Sequence, residues 1–190
     1  MLREKPELIE TTEAMEPLGA TAKNFQLATS KIECDVLKSS LENPCAGALV
    51  CFEGVVRNHN EGKVVLSLEY EAYESLARLE ASKIFAEAVK QYSILSAICV
   101  HRTGLLQIGE TAVFVGVTSA HRDAAFHACR YIIDEIKMRL PIWKKETYED
   151  GISEWVNCQH TGQQHLKDPH LKNHHLKDQH ENSSGEKKQK

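Results

Sequence analysis

The sequence predicts an α+β fold with a mixed or antiparallel sheet and packed helices. Three observations lead there. Two long segments repeat their apolar residues every three or four positions, as amphipathic helices do. Several shorter segments are either continuously apolar or strictly alternating, as strands are. The two kinds do not follow a strict strand-helix-strand repeat, which argues against a doubly wound sheet.

The chain has 190 residues, 42% of them hydrophobic, with a net charge of −4. Residues 1–24 are polar, carry Pro6, Pro17 and Gly19, and read as a flexible leader. The foldable part runs from 25 to 158. A short strand is expected at Phe25–Ala28 and a short helix at Cys34–Leu41, stopped by the Asn43-Pro44 turn. Ala46–Val56 is rich in small and β-branched residues. In the following SLEYEA, Leu66, Leu68 and Tyr70 alternate inward against Ser67, Glu69 and Glu71. RNHNEGK between them supplies Asn60 and Gly62, so the two segments are expected to pair as a hairpin, with Arg57 at the end of its first strand.

A helix over Ser75–Gln91 places Ala77, Ala81, Ile84, Ala88 and Tyr92 on one face. Two strands beginning at Ala97 and Thr111 are apolar throughout, which implies cover on both faces; Gly104 and Gly109 mark the turn region between them. The next helix starts near Arg122 and buries Ala125, Cys129, Ile132, Ile136 and Leu140. It ends by Leu140, because Pro141 disfavours helical geometry in the residue before it. Lys137 falls beside the buried face, and the turn at Pro141 brings Trp143 and Lys144 back towards it. An extended segment, ETYEDGISEWV, closes the domain.

From 159 to 190 the composition changes. His160, His165, His170, His175 and His180 recur every fifth residue, a period that aligns the imidazoles neither on a helix nor on a strand. Pro169 also interrupts a helix. The segment reads as a disordered, low-complexity tail whose imidazoles bind metal weakly at most.

Composition removes several function classes. A net charge of −4 does not furnish the global basic field of non-specific nucleic-acid binding. No apolar run is long enough to cross a membrane, and the N-terminus has no apolar core of a signal peptide. The six cysteines are scattered without a C-x-x-C pair, so a reducing cytosol is the expected compartment. There is no G-x-G-x-x-G, G-K-[ST], G-x-S-x-G or H-E-x-x-H, and no metal-spaced cluster in the foldable part. No metal or cofactor is expected. Between Ser119 and Lys145, by contrast, six Lys and Arg residues face three acidic ones.

The individual residues admit two readings. Lys137 is either a solvated helix lysine or an amine at the core margin able to shuttle protons, and Lys144 is placed to converge with it. His121 and Arg122 stand where the free N–H groups of the helix start, so they form either a capped, ion-paired helix end or an anion site. Arg57 is a loop arginine. His59 and His101 fit satisfied structural histidines, and Trp143 and Trp155 fit packing anchors.

EGVVRNHNEGK, LEYEAY, VHRTG, VFVGVTSAHRDAAF and IDEIKMRLPIWKKE, in this order and spacing, closely resemble the large catalytic subunit of molybdopterin synthase. The resemblance spans about Phe25 to Trp155. It implies an α/β-hammerhead fold and a homodimer at the centre of a heterotetramer. A small ubiquitin-like subunit would dock at each end, its Gly-Gly tail bearing a terminal thiocarboxylate. Sulfur would pass from that tail, twice, to cyclic pyranopterin monophosphate, making the dithiolene of molybdopterin. By motif, Lys137 and Lys144 would be the catalytic lysines, and Arg57, His121 and Arg122 would form the anionic substrate pocket. Arg139 matches a nearby basic position. Phe52 and Ile133 match pocket-lining positions, with packing the role of Ile133. The leader and the tail match nothing in the family. A rival reading keeps the pocket for binding a phosphorylated metabolite without chemistry; another, metal buffering by the tail, predicts loss of function on truncation after Cys158.

Overall fold

The computed structural model describes residues 24–152 and 155–157. The expected leader, apart from Asn24, and the His-rich tail lie outside the described residues. Among the described residues thirteen elements follow in chain order. Strand β1 (Phe25–Ala28) leads to helix α1 (Cys34–Ser40) and strand β2 (Ala48–Val55). A two-residue β3 (His59–Asn60) precedes the long β4 (Lys63–Ala72). Helix α2 (Glu74–Gln91) is followed by β5 (Ile94–Arg102), β6 (Gly104–Gln107) and β7 (Thr111–Ser119). Helix α3 (Arg122–Arg139) then gives way to β8 (Ile142–Tyr148), β9 (Gly151–Ile152) and β10 (Val156–Asn157).

The strands form two sheets. The first has the order β1-β5-β7-β2, with β1 parallel to β5 and the other pairs antiparallel. The second has the order β10-β8-β4-β3, with β6 also on β4 and β9 on β8. As its unbroken apolar sequence requires, β7 is covered on both faces. Val113, Val115 and Val117 pack into the main core with α2 and α3, while Phe114 turns to the other side against Ile32 and Leu41. Helix α3 buries Ala125, Ala128, Cys129, Ile132, Ile133 and Ile136, the expected face, and Leu140 just beyond it is fully buried. Helix α2 buries Ala77, Ala81, Ile84 and Ala88 as expected, together with Phe85.

The expected hairpin between the second and fourth strands does not form. Strand β2 pairs along its length with β7, and β4 pairs with β3, β6 and β8. The tight turn joins β3 to β4 instead, where Glu61 and Gly62 both have positive φ (49° and 79°), as a two-residue hairpin loop demands. Turn chemistry located the reversal but not the strand entering it. Leu66 also departs from expectation: it is 50% exposed while Val65 is buried. The β4–β8 register shifts between Val65 and Ser67, which moves one residue to the other face. Finally, the turn region between β5 and β7 contains β6, whose Leu106 is fully buried.

No helix of the described residues is long and apolar enough to cross a membrane. The core makes a stability prediction. Ile132→Ala, at a fully buried position facing the first sheet, should cost about 2–5 kcal/mol in urea unfolding, whereas Leu79→Ala, 54% exposed on α2, should stay within about 0.5 kcal/mol.

Candidate active site

Pro141 determines where the site lies. The backbone leaves the helical region at Leu140 (ψ 137°), and the chain re-enters order as β8, hydrogen-bonded antiparallel to β4. The Tyr73 N–H donates to the Pro141 carbonyl at 3.1 Å, fixing the corner. Lys137 therefore occupies the last turn of α3 and Lys144 the start of β8. The two amines border one cavity of about 120 Å³, closed by Tyr70, His101, Val113 and Ile136 among others. Lys137 also borders a larger, mostly apolar groove of about 650 Å³ between α3 and β2, where Phe52, Ile133 and the exposed Phe126 contribute. Lys137 thus stands where the two spaces adjoin.

Charge pairing separates the cations of this region. Arg130 pairs with Asp134, Lys144 with Glu146 and Lys145 with Glu69. Arg139 is held by Glu80, Glu87 and Glu135, so it clasps α2 to α3. Its guanidinium is held firmly charged by these hydrogen bonds, Glu87 first. Among the described residues Lys137 and Arg122 have no carboxylate partner within 4 Å. Lys137 is therefore the amine at the cavity mouth with charge to offer an anionic reactant.

His101, set aside in the sequence as structural, belongs to this cavity. It is 6% exposed, its ring meets Tyr70 edge-on with centroids 4.9 Å apart, and its Nδ1 lies 2.8 Å from the Arg102 carbonyl oxygen. A carbonyl only accepts, so Nδ1 carries the proton and Nε2 keeps its lone pair. Burial, aided by the Lys137 charge, lowers the imidazole pKa to about 4, against the opposing pull of the Arg102 carbonyl. At neutral pH the cavity thus holds a neutral imidazole beside two amines.

Lys144 is held from its other side. Its Nζ donates to Glu146 Oε1 at 2.9 Å, and these side chains are only 18% and 12% exposed. Glu146 also accepts from the Tyr148 hydroxyl and, at 2.9 Å, from Asn60 Nδ2. Burial pushes its carboxyl pKa up, but the bonds from Tyr148, Lys144 and Asn60, together with the Lys144 charge, outweigh that and hold it below the ordinary range. Lys144, Glu146 and Tyr148 alternate along β8 and so share one face. That two-residue spacing was the available sequence signal for Glu146 and Tyr148. Asn60 had none beyond its place in a turn.

The anion-binding residues are distributed differently. Arg57 is exposed, with Nη2 donating to Asn60 Oδ1 at 2.7 Å. His121 is the N-cap of α3 and makes no side-chain capping bond; Ser119 Oγ accepts the His121 N–H at 3.4 Å, not one from the first helical turn. His121 and Arg122 are both exposed. From Arg122 to Lys137 the helix rises about 22 Å. Within one chain the lysines, His101 and the Arg57–Asn60 pair are brought towards one region, and His121 and Arg122 are not.

Two cysteines, Cys51 and Cys129, line the groove. Burial raises both thiol pKa values, that of Cys129 to about 11. Among the described residues no cluster of His, Cys, Asp and Glu could hold a metal ion.

The carboxyl of Glu146 gives a pH test. A group whose folded pKa lies below its unfolded value contributes stability that is present above about 4.5 and is lost as pH falls through the folded value. In urea unfolding, the deficit of Glu146→Gln relative to the unaltered chain should be full at pH 7 and should shrink below pH 4.5.

Comparison with known proteins gives a consistent result. A family model described as MoaE protein matches residues 27–139. A Thermoplasma volcanium protein named molybdopterin synthase catalytic subunit is 48% identical over 119 residues, covering 63% of this chain and 87% of its own. A Bacillus subtilis protein of the same name is 41% identical over 137 residues, covering 72% and 87%. Among solved structures, molybdopterin synthase from Staphylococcus aureus superimposes with a TM-score of 0.65 at 38% identity, covering 70% of this chain and 97% of its own.

Proposed function

The chain belongs to the MoaE protein family and is a molybdopterin synthase catalytic subunit, an enzyme of molybdenum cofactor biosynthesis, and on that premise we propose how its residues divide the work. The donor is the C-terminal thiocarboxylate of a small ubiquitin-like Gly-Gly carrier, and the acceptor is cyclic pyranopterin monophosphate. Two sulfur transfers make the dithiolene. The name "catalytic subunit" carried by the relatives supports a further subunit as partner.

The observation that carries this reading is the convergence of Lys137 and Lys144 on one cavity, with Lys137 unpaired among the described residues. Lys137 meets the carrier's terminal carbonyl from the groove side and assists proton transfer there. Its charge offsets the oxyanion that forms as water adds to the carrier's acyl carbon; that oxyanion then collapses and the carbon–sulfur bond breaks, leaving sulfur on the pterin and a carboxylate on the carrier. Lys144, held by Glu146, orients the pterin and the leaving group. Phe52 and Ile133 line the approach to Lys137, which suits a Gly-Gly tail that carries no side chains past them to its anionic end. Arg57 takes the cyclic phosphate. Arg139 serves the same site indirectly, by holding the end of α3 to α2.

The remaining anion binders, His121 and Arg122, come from a second copy of the chain. Their separation from Lys137 along α3 supports this, as does the exposed, apolar groove beside that helix, with Phe126 61% exposed. A symmetric dimer would bring the start of one α3 to the groove of the other. The reaction is proposed to run in the cytosol, a reading supported by the free thiols Cys34, Cys45, Cys51, Cys99 and Cys129.

Reconstitution tests the chemistry. With thiocarboxylated carrier and cyclic pyranopterin monophosphate, Lys137→Ala and Lys144→Ala should each lower dithiolene formation by about 10²–10⁴-fold. Normal rates from both variants would defeat the assignment of the lysines, whereas no dithiolene from the unaltered chain, with an active control enzyme alongside, would favour a binding protein without chemistry. Sharing between copies has its own test. Lys137→Ala and Arg122→Ala chains, each inactive alone, should regain activity when unfolded and refolded together, because half-mutant dimers then contain one intact site; persistent inactivity would place all the residues on one chain.

A further inference from the structure

Arg57, in the loop between β2 and β3, and Lys144, on β8, are far apart in sequence, yet one side-chain amide stands between them. Asn60 Oδ1 accepts from Arg57 Nη2 at 2.7 Å. On its other side Nδ2 donates to Glu146 Oε2 at 2.9 Å and to the Tyr148 hydroxyl at 3.2 Å. The second oxygen of Glu146 accepts from Lys144 Nζ at 2.9 Å. A guanidinium only donates and an ionised carboxylate only accepts. The residue between them must therefore present an oxygen one way and an N–H the other, which is what a carboxamide does.

An exposed cluster of this kind usually contributes little. Here the Lys144–Glu146 pair is 18% and 12% exposed, so it is shielded from solvent. Asn60 is also held by its backbone. The two-residue turn at Glu61 and Gly62 sets it directly opposite Lys63, and the short β3–β4 ladder leaves it little freedom to follow a moving partner. The register of β4 against β8, with Tyr70 facing Lys144 and Leu68 facing Glu146, places Lys144 and Glu146 on the same sheet as Asn60.

We propose that Asn60 is a positioning residue that couples Arg57 to Lys144, so that the phosphate-binding guanidinium and the catalytic amine are oriented together. This rests on the assignment of Arg57 and Lys144 to the anionic substrate. Asn60 acts through these two groups and not on the reacting atoms. The two ends of its carboxamide separate its effects: the oxygen serves Arg57 and hence substrate affinity, while the N–H groups serve Glu146 and Lys144 and hence turnover.

Steady-state kinetics on the full chain with thiocarboxylated carrier and cyclic pyranopterin monophosphate test this, with thermal unfolding as a check on the fold. Asn60→Ala should raise KM for the pterin about tenfold and also lower kcat. Asn60→Asp keeps an oxygen for Arg57 but sets a carboxylate against Glu146, so it should lower kcat with KM little changed. Combined with Arg57→Ala, Asn60→Ala should add no further rise in KM. A purely structural role would lower the active fraction equally in both variants and leave KM alone. Should Asn60→Ala fail to fold, Asn60→Asp still decides the question once its rate is divided by its folded fraction: a kcat that stays lowered supports the coupling, and a kcat restored to that of the unaltered chain overturns it. Unchanged kinetics in the Asn60 variants, or an additive double variant, beside a clear Arg57→Ala defect, would overturn the coupling alone. An Arg57→Ala chain with unaltered KM would overturn the assignment of Arg57 and the coupling with it.

Discussion

The corner at Pro141 is the constraint on which the rest of the site depends. In an unbroken helix Lys144 would sit two turns above Lys137 on the same face, about 10 Å further along the axis, and the amines would project in parallel. With the helix ended at Leu140, the chain reverses into β8, and the amines approach one cavity from different sides. The corner is pinned from both flanks. Leu140 and Ile142, on either side of the proline, are 0% and 2% exposed, and the Tyr73 N–H is bonded to the Pro141 carbonyl. The same corner passes the chain from the helix packed on the first sheet to a strand of the second. The cavity therefore forms where the two sheets meet.

How legible each part was depended on the range of the interaction that fixes it. Helices α2 and α3 could be read because their buried residues repeat locally; Ala125, Cys129, Ile132, Ile136 and Leu140 are all buried in the structure. Strand partners are chosen by distant segments, so β2 could be identified as a strand but not assigned to β7. Leu66 was misplaced because a shift within a ladder has no local signature. At the site, Phe52 and Ile133 follow from resemblance in motif, while Lys137 and Lys144 are also readable from the helix face and the turn at Pro141; the structure sets Phe52 and Ile133 on the groove, Lys144 on the smaller cavity and Lys137 on both. His101 was missed because its importance comes from facing Lys137 across the fold. Asn60 was missed because a turn asparagine is ordinarily explained by its own backbone.

Pairing has also sorted the charges along α3. Carboxylates on the same helix or its neighbour engage Arg130 and Arg139 in its middle and final turn. Arg122 at its start and Lys137 near its end lack such partners among the described residues. A neutral His101 next to Lys137 adds no repulsion of its own. The excess positive charge of this stretch is thus confined to two points rather than spread over a face, which suits compact anions more than an extended polyanion.

The raised thiols of the groove bear on a different matter, chemical cross-talk. On the proposed approach of the carrier tail to Lys137, a sulfur donor would pass Cys51 and Cys129 along this wall, and thiolates there would compete for its sulfur or be modified by it. Exchange needs the thiolate, and burial keeps both residues in the protonated form. On that proposal the fold lines a sulfur-handling passage with sulfur atoms of its own and still leaves them bystanders, insulated by their poor solvation.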